Sequence, residues 1–278
     1  RETFERFLDK KYYSFQEIQE RKGWYSATAQ SYREFRPRYP DLILNDALQT
    51  VRNEGKLLEI GCGPGTATVS LLQRGFHVTC LEPNSEFCTL LQQDPFISSS
   101  DRIQIHNVAF EEAIISEQSY DAVIAATSMH WIPADVAFPK AACALKCGGT
   151  LILLWNMMMT PASLDVYKKM EDAHGEDYAP LLAWGDEQKQ YEVASAVGGQ
   201  ILASGYFTDF RTKKVRQKVQ YTASQYLGLL STYSFYLRLS YAERYELFER
   251  IRTVIDHDLG GSIILSYISM YHIATKKL

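Results

Sequence analysis

Short apolar runs alternate with segments of helical periodicity between residues 56 and 156, and this alternation restricts the fold more than any other feature of the sequence. Most runs are continuously apolar, as is typical of strands in a parallel sheet that helices cover on both faces. The runs that read as strands occupy residues 56–60, 77–82, 102–107, 120–126 and 150–156. The last helix of the block is predicted over residues 134–146, with Gly148 and Gly149 closing it. The alternation predicts a doubly wound α/β fold.

The sequence outside this block follows other patterns. Residues 1–50 look mainly helical and are rich in aromatic residues and arginine. Residues 211–222 and 262–277 read as strands, which predicts a hairpin-like pair at the end of the sheet. The basic residues of the first of these strands are typical of a charged edge strand that resists aggregation. We therefore favour an edge strand over a nucleic-acid surface for residues 211–222.

Composition and charge narrow the class of partner. The 278 residues carry a net charge of −4, which argues against a polynucleotide partner. Five cysteines, an odd number, indicate reduced thiols and predict a cytoplasmic protein, with Cys143 and Cys147 on one helix face. There is no signal peptide and no apolar run of about 20 residues, so no membrane partner is predicted. The histidines and cysteines lack metal-ligand spacing, so no metal is predicted. The choice between monomer and dimer stays open.

The segment KLLEIGCGPGTAT places three glycines, Gly61, Gly63 and Gly65, within five residues. Such density indicates a ligand close to the backbone, because each glycine costs chain entropy on folding. The spacing fails the dinucleotide template G-x-G-x-x-G at Thr66, and no lysine follows to complete a phosphate-binding loop. Glu82 ends the second strand, where a carboxylate accepts hydrogen bonds from ribose hydroxyls. The pattern indicates a ribose-containing ligand with no pyrophosphate or triphosphate.

Several segments resemble the motifs of class I S-adenosylmethionine-dependent methyltransferases. E-I-G-C-G-P-G-T resembles their first motif and L-E-P-N their second. N-V-A-F-E-E, S-Y-D-A-V-I-A-A-T-S-M-H-W-I and G-G-T-L-I-L resemble the segments around the third, fourth and fifth strands. S-Y-R-E-F-R-P-R-Y-P is similar to a small-molecule subgroup that includes trans-aconitate-type enzymes. The resemblance implies a Rossmann-like seven-stranded sheet with an antiparallel last strand, a helical lid, and S-adenosylmethionine as cofactor with S-adenosylhomocysteine as product.

The resemblance also implies which residues hold the cofactor. Glu82 would bind the ribose hydroxyls, and Glu59 would lie beneath the glycine loop near the cofactor's ammonium group. Ala109 stands where many members have an aspartate that bonds the adenine amino group, so backbone or water would replace that bond. The cofactor-binding residues so implied are Glu59, Gly61, Cys62, Gly63, Gly65, Glu82, Pro83, Asn84, Ala109, Phe110, Ala126 and Thr127.

Methyl transfer from a sulfonium is an in-line displacement, which needs aligned reactants and exclusion of water. A general base is needed only when the nucleophile arrives protonated, and a carboxylate needs none. His130, after the fourth strand, is the candidate base, and the alternative is an imidazole that packs the loop. Arg36 and Tyr32 are the other catalytic candidates. Arg36 would clamp a carboxylate of cofactor or substrate, and the alternative is a solvated helix end.

Aromatic and basic residues at both ends of the chain are candidates for contacting the methyl acceptor. Aromatic stripes at helical spacing are more often part of a core, so packing is the alternative for them. The substrate-binding candidates are Trp24, Tyr25, Arg38, Trp131, Tyr233 and Tyr236.

Four segments organise the predicted protein. They are an N-terminal helical lid (1–50), a cofactor-binding core (51–157), a helical insertion (158–207), and the last two strands with lid helices between them (208–278). The leading hypothesis is methyl transfer to a small-molecule acceptor, possibly a carboxylate. An RNA or protein methyltransferase is disfavoured by the acidic charge and by the absence of an N/D-P-P-Y/F motif. A non-catalytic S-adenosylmethionine-binding protein is the third hypothesis, because the adenine aspartate is missing.

Overall fold

The computed structural model describes residues 22–23, 25–182 and 186–278, and its centre is a single mixed sheet. Its strands are β1 (Lys56–Ile60), β2 (His77–Leu81), β3 (Ile103–His106), β4 (Tyr120–Ala126), β5 (Leu145–Asn156), β6 (Thr160–Pro161), β7 (Phe207–Thr222) and β8 (Ser262–Lys276). Their spatial order is β3, β2, β1, β4, β5, β8 and β7, with β6 pairing with β8 beyond the end of β5. Strands β1 to β5 are parallel, and β8 is antiparallel to its neighbours. The predicted doubly wound sheet with an antiparallel last strand is confirmed, and β6 is an additional short strand.

Helices flank this sheet and cover one end of it. They are α1 (Ala29–Phe35), α2 (Asp41–Leu48), α3 (Thr68–Gln73), α4 (Ser85–Gln93), α5 (Pro95–Ser98), α6 (Ala134–Ala144), α7 (Leu164–Leu182), α8 (Glu187–Ala203), α9 (Ala223–Leu230), α10 (Ser234–Leu237) and α11 (Tyr241–Thr253). Gly175 has a non-helical conformation and breaks α7 into two parts. The side chain of Asn84 accepts a hydrogen bond from the backbone N–H of Phe87 and so fixes the start of α4.

The connection between α6 and β5 differs from the sequence prediction. Helix α6 ends at Ala144 and β5 begins at the next residue, so the pair Gly148–Gly149 lies inside the strand and not at the helix end. A Cβ on the second of these glycines would lie 3.0 Å from the carbonyl oxygen of Lys146, so close backbone approach requires glycine there. Cys143 is thus helical and Cys147 lies on a strand, which corrects the prediction that they share a helix face.

Alternating strand residues divide the core into two layers. Leu57 packs with residues of α2 and α3 on one face of the sheet, and Leu58 packs with residues of α6 on the other. A third cluster joins α7 and α9 to α11 with the N-terminal part of β8. The parallel strand ends therefore meet a separately packed helical layer, and the candidate site lies where the two come together.

Strand β7 lies at the edge of the sheet, where it pairs with β8 alone among the described strands. Two of its cations have local partners: Lys213 bonds to Asp46, and Arg216 lies 2.6 Å from a carboxylate oxygen of Glu187. This placement confirms the interpretation of the basic run as a charged edge strand.

Candidate active site

The glycine loop after β1 is held in a left-handed conformation by its surroundings. Gly61 has φ +63° and Gly65 has φ +100°. A Cβ at Gly61 would lie 2.7 Å from the Cβ of Ser128, and one at Gly65 would lie 2.5 Å from a methyl carbon of Leu91. Neither position has room for a side chain. Gly63 differs, because at φ +56° its added Cβ would meet only a ring carbon of Phe87, at 4.0 Å, and would point toward open space.

Glu82, which follows β2, braces this loop. One carboxylate oxygen accepts the backbone N–H of Gly63 and the other accepts that of Asn84, both at 2.8 Å. Burial raises the pKa of Glu82 to about 7, although the two backbone hydrogen bonds act in the opposite direction. Each carboxylate oxygen keeps a second lone pair, so Glu82 can bind hydroxyl groups while it fixes the loop.

A first cavity opens above the ends of β1, β2 and β4. Its empty volume is about 780 Å³, including space open to solvent. Among the described residues, its wall contains no lysine, arginine or histidine, so these residues offer no side-chain cation for a phosphate. The lining residues are Tyr25, Tyr32, Ile60, Gly61, Gly63, Glu82, Pro83, Asn84, Phe87, Ala109, Phe110, Glu111, Ala126, Thr127, Ser128, Trp131 and Ile132.

The chemistry of this wall fits S-adenosylmethionine. Glu82 supplies acceptors for ribose hydroxyls, Gly63 leaves space that a Cβ would fill, and apolar residues such as Phe110 form a slot for a flat base. Ala109 lines the same slot and offers no side-chain polar group, while the carboxylate-bearing Glu111 lies next along the wall. Most of the residues implied for the cofactor are therefore brought to one cavity, and their individual roles stay predictions.

Three other residues implied for the cofactor lie behind or beside the loop. Glu59 is fully buried, accepts a hydrogen bond from the Thr68 hydroxyl at 2.7 Å, and does not line this cavity. Burial raises the pKa of Glu59 to about 8, so it is protonated at neutral pH. Gly65 does not line it either, and Cys62 lines an adjoining cavity that shares Gly61 and Gly63 with it. The burial of Glu59 agrees with a position beneath the loop, and the roles of Glu59 and Gly65 toward the cofactor stay predictions.

The N-terminal segment crosses the mouth of the first cavity. Lys22 lies 2.9 Å from a carboxylate oxygen of Glu112, and its backbone carbonyl accepts a hydrogen bond from the Asn84 side chain at 2.8 Å. Ser26 donates a hydrogen bond to Glu86 at 2.8 Å. Tyr25 then stacks on the ring of Phe87, with centroids 6.0 Å apart. These contacts hold the aromatic segment over the cavity.

A strained residue marks the place where three cavities meet. Thr127 has φ +56°, an outlier for a β-branched residue, and lines all three cavities. Its hydroxyl lies 2.6 Å from that of Tyr39. Tyr32 also lines all three cavities. The remaining lining residues of the third cavity are Arg36, Pro37, Tyr39, Gly61, Cys62, Gly63, Pro64, Thr66, Ala67, Ala126, Asn156, Met157 and Tyr233.

A second, larger cavity adjoins the first, with an empty volume of about 1670 Å³, including space open to solvent. It shares Tyr25, Tyr32, Thr127, Trp131 and Ile132 with the first cavity. The other lining residues are Arg36, Met129, His130, Pro133, Ala134, Ala137, Phe138, Trp155, Asn156, Met157, Met158, Gln190, Val193, Ala194, Val197, Gln200, Tyr233, Ser234 and Phe235.

All three catalytic candidates, Tyr32, Arg36 and His130, line this second cavity. His130 stacks obliquely with Trp131 and Trp155, and burial lowers its pKa to about 4, so its imidazole is neutral at neutral pH. Arg36 follows α1 and donates two hydrogen bonds to Thr232, one to its hydroxyl at 2.8 Å and one to its carbonyl at 3.0 Å. Its guanidinium also lies over the rings of Tyr32 and Tyr233.

Several substrate-binding candidates are not brought to the cavities. Tyr236 is buried within the helical layer, where its hydroxyl lies 2.7 Å from Nε2 of His174. Arg38 is exposed and lines none of the three cavities. Both predictions are corrected: the helical face of Tyr236 packs inward, and the chain turns Arg38 outward after Arg36. Trp24 lies outside the described residues.

Sequence reasoning missed the part of the second wall that comes from α8 and from the end of β5. One face of α8 carries Gln190, Val193 and Val197 at helical spacing. This pattern is visible in the sequence, but no motif indicates that it lines a site. Trp155 lies near the end of β5, in a run that the sequence predicted only as a strand. Thr232, the anchor of Arg36, had no sequence signal.

Comparisons with known proteins agree with this geometry. Residues 57–149 match a family model described as a methyltransferase domain. An uncharacterized methyltransferase of Mycobacterium tuberculosis is 30% identical over 126 residues, which are 45% of this chain and 49% of that protein. A Saccharomyces cerevisiae protein named as a probable S-adenosylmethionine-dependent methyltransferase is 27% identical over 145 residues, 50% of each chain. The chain thus spans about half the length of the curated relatives it matches.

Solved structures with a similar fold are also methyltransferases by name. A protein of Anaeromyxobacter dehalogenans assigned as a type II methyltransferase aligns with a TM-score of 0.60 at 18% identity, covering 87% of this chain and 98% of that one. A phosphoethanolamine N-methyltransferase of Haemonchus contortus, solved with S-adenosylhomocysteine, aligns with a TM-score of 0.56 at 15% identity, covering 95% and 60%. At these identities the likeness shows the fold. Together with the sequence matches, it supports a class I methyltransferase domain with S-adenosylmethionine as its cofactor.

Proposed function

We propose that this protein is an S-adenosylmethionine-dependent methyltransferase that transfers the methyl group in line to a small-molecule acceptor. The observation that carries the proposal is the meeting of two cavities at Tyr32 and Thr127. The first cavity has the chemistry for a ribose and a base, and the second is a larger space next to it. A donor in one and an acceptor in the other would meet at these two residues.

The chain's own residues would orient the reactants and exclude water. Glu82 and the glycine loop would fix the ribose, and Tyr25 and Trp131 would shield the junction from solvent. Bound S-adenosylmethionine supplies an electrophilic methyl group on a sulfonium. The neutral imidazole of His130 is able to accept a proton from a hydroxyl or amine acceptor, whereas a carboxylate acceptor requires no base.

The finer parts of the proposal rest on particular segments. The N-terminal stretch 31–40 supports the small-molecule subgroup that includes trans-aconitate-type enzymes, and Arg36 within it supports a carboxylate acceptor. The lid would consist of the described part of residues 1–50, of segment 158–207 and of the helices within 208–278, because α1, α8 and α10 wall the second cavity. In the described residues, no helix has the length and apolarity required to cross a membrane. All five cysteines are free thiols, which supports a cytoplasmic protein.

A labelling experiment tests the reaction and separates the alternatives. The protein is incubated with methyl-labelled S-adenosylmethionine and, in parallel, with a small-molecule extract, with total RNA and with a protein lysate. We expect label in the small-molecule fraction alone. Label in RNA or protein would show that the acceptor is a macromolecule and not a small molecule. Cofactor binding without transfer to any fraction would favour the non-catalytic hypothesis.

A further inference from the structure

We infer that the methyl acceptor is a monocarboxylate with an apolar body, whose carboxylate meets Arg36 and whose body fills the second cavity. This inference rests on the proposed function and narrows it to one substrate class. Its basis is the contrast along the cavity wall between one permanent charge and a large apolar surface.

The charge on the wall of the second cavity is confined to one residue. Among its described lining residues, Arg36 is the single one with a permanent charge, and there is no lysine, aspartate or glutamate. His130 is neutral at neutral pH because burial lowers its pKa to about 4. A ligand that fills this cavity therefore contacts a wall whose net positive charge lies at Arg36.

Arg36 lacks a counter-ion within the described part of the chain. Its hydrogen bonds go to the hydroxyl and the carbonyl of Thr232, which carry no net charge, and its flat faces rest on Tyr32 and Tyr233 at 4.7 and 4.4 Å from the ring centroids. These bonds use Nε and Nη2, which leaves the Nη1 amino group for a ligand. A partly buried guanidinium without a carboxylate is unusual, since charges removed from water are normally paired. A ligand carboxylate supplies the missing charge and matches guanidinium geometry.

The rest of the cavity selects the body of the acceptor. Aromatic and aliphatic side chains form most of the wall, among them Phe138, Trp155, Met157, Val197 and Phe235. A second or third carboxylate of the same ligand would have to lose its water against these groups without a cation to receive it. The wall therefore favours a single anionic group and disfavours tricarboxylates, including those that the subgroup resemblance suggests.

The reaction of such an acceptor balances without any further group. A carboxylate oxygen forms a bond to the methyl carbon as the bond from that carbon to sulfur breaks, and sulfur keeps the electron pair. One negative and one positive charge disappear, which gives a neutral methyl ester and S-adenosylhomocysteine. No proton is transferred, so His130 has no part in the step.

A panel of acceptors tests the inference. The protein is first titrated with S-adenosylhomocysteine, and then assayed with labelled S-adenosylmethionine and decanoate, naphthalene-2-acetate, tricarballylate, decanol or decylamine. We expect methyl esters of the two apolar monocarboxylates and no product from the other three. Arg36→Gln should lower kcat/KM for decanoate by about 10- to 100-fold, Arg36→Lys should lower it less, and Arg52→Gln, an exposed arginine away from the cavities, should leave it unchanged.

Each outcome separates the inference from the proposed function. If S-adenosylhomocysteine fails to bind the folded protein, the proposed function falls as well. If it binds, methylation of tricarballylate, decanol or decylamine in place of decanoate overturns the inference alone, as does failure of every probe. Unchanged turnover of decanoate by Arg36→Gln also overturns it. Melting temperature shows whether the Arg36 variants fold, and Arg36→Lys remains decisive if Arg36→Gln does not. Because Arg36 also lines the third cavity with the glycine loop, a loss of S-adenosylhomocysteine affinity in a folded Arg36 variant would assign the contact to the cofactor's carboxylate and overturn the inference.

Discussion

The two cavities that meet at Thr127 are built in different ways. The first takes most of its wall from consecutive strand ends and the loops that follow them, between residues 60 and 132. The second combines side chains from α1, α6, α8, α10 and the end of β5, which are far apart in sequence. The cofactor side is therefore local in sequence, whereas the acceptor side depends on tertiary assembly. Substitutions on the two sides should separate cofactor affinity from acceptor use.

The largest expected effect is on the cofactor side, at Gly61. The change Gly61→Val combines a strained φ of +63° with a Cβ 2.7 Å from that of Ser128. Left-handed strain and overpacking together cost about 2–5 kcal/mol, so we expect S-adenosylmethionine affinity to fall by about 30-fold or more, measured by calorimetry. Gly148→Ala is the control, because its φ is +70° but its added Cβ meets nothing within 4 Å. It should lose stability and keep cofactor affinity. Equal affinity losses in both variants would contradict the role given to the loop.

Glu82→Gln should have the next largest effect. The amide keeps the side-chain shape, but only its oxygen still accepts a hydrogen bond, so either Gly63 N–H or Asn84 N–H loses its acceptor. We expect a loss of about 10- to 100-fold in cofactor affinity, because hydrogen bonds to charged groups are strong. In the unmodified protein the affinity should rise as pH passes through about 7, where Glu82 ionises. If Glu82→Gln binds the cofactor at pH 8 as tightly as the parent protein does, Glu82 does not contribute to cofactor binding.

The same carboxyl group should make stability depend on pH. Burial raises the pKa of Glu82 from an ordinary value of 4.5 to about 7, so the folded state holds a proton that the unfolded state releases. The stability contribution is complete below about pH 4.5 and is lost as pH rises through 7. We expect the free energy of unfolding without cofactor to fall by about 2 kcal/mol from this group between pH 5 and 8. Urea titrations of the parent and of Glu82→Gln at several pH values measure this change in the free energy of unfolding. If the two proteins show the same dependence on pH, the raised pKa of Glu82 is contradicted.

A change at the edge of the second cavity should affect the acceptor alone. Val193 on α8 lines this cavity and is 40% exposed, so Val193→Trp narrows the cavity without entering the core. We expect KM for the acceptor to rise by about tenfold, in line with the cost of an imperfect fit in an apolar site, while cofactor affinity stays within twofold. Val193→Ala is the matched control and should keep both values. A loss of cofactor affinity in Val193→Trp would mean that the two cavities are not independent.

The smallest expected effect concerns the N-terminal segment over the first cavity. Lys22→Glu replaces the ion pair with Glu112 by two like charges, and the partners' side chains are 26% and 41% exposed. Exposed pairs contribute about 0.2–1 kcal/mol, so the dissociation rate of S-adenosylhomocysteine should increase by about two- to fivefold. The reversed pair Lys22→Glu with Glu112→Lys should restore the rate, measured by stopped-flow fluorescence. No change at low salt would show that this segment does not retain the cofactor.

The features that the sequence predicted are those that are local in sequence, and the features that it missed depend on tertiary assembly. The strands, the glycine loop and Glu82 were predictable because periodicity and short motifs depend on neighbouring residues. The end of α6 was not, because Gly149 serves a close approach inside β5 that only the folded backbone reveals. Tyr236 was misplaced for a related reason, since helical spacing does not tell which face packs inward. Arg36 was identified, but its anchor on Thr232 lies 196 residues away.

The claim that the first cavity binds S-adenosylmethionine is tested most directly by titrating the purified chain with this ligand in a calorimeter. We predict saturable binding with one site per chain, competed by S-adenosylhomocysteine and weakened in Glu82→Gln. ATP and NAD should not compete, because the described part of the cavity wall offers no side-chain cation for a phosphate. Absence of heat together with an unchanged melting temperature would contradict the account, as would binding that Glu82→Gln leaves intact.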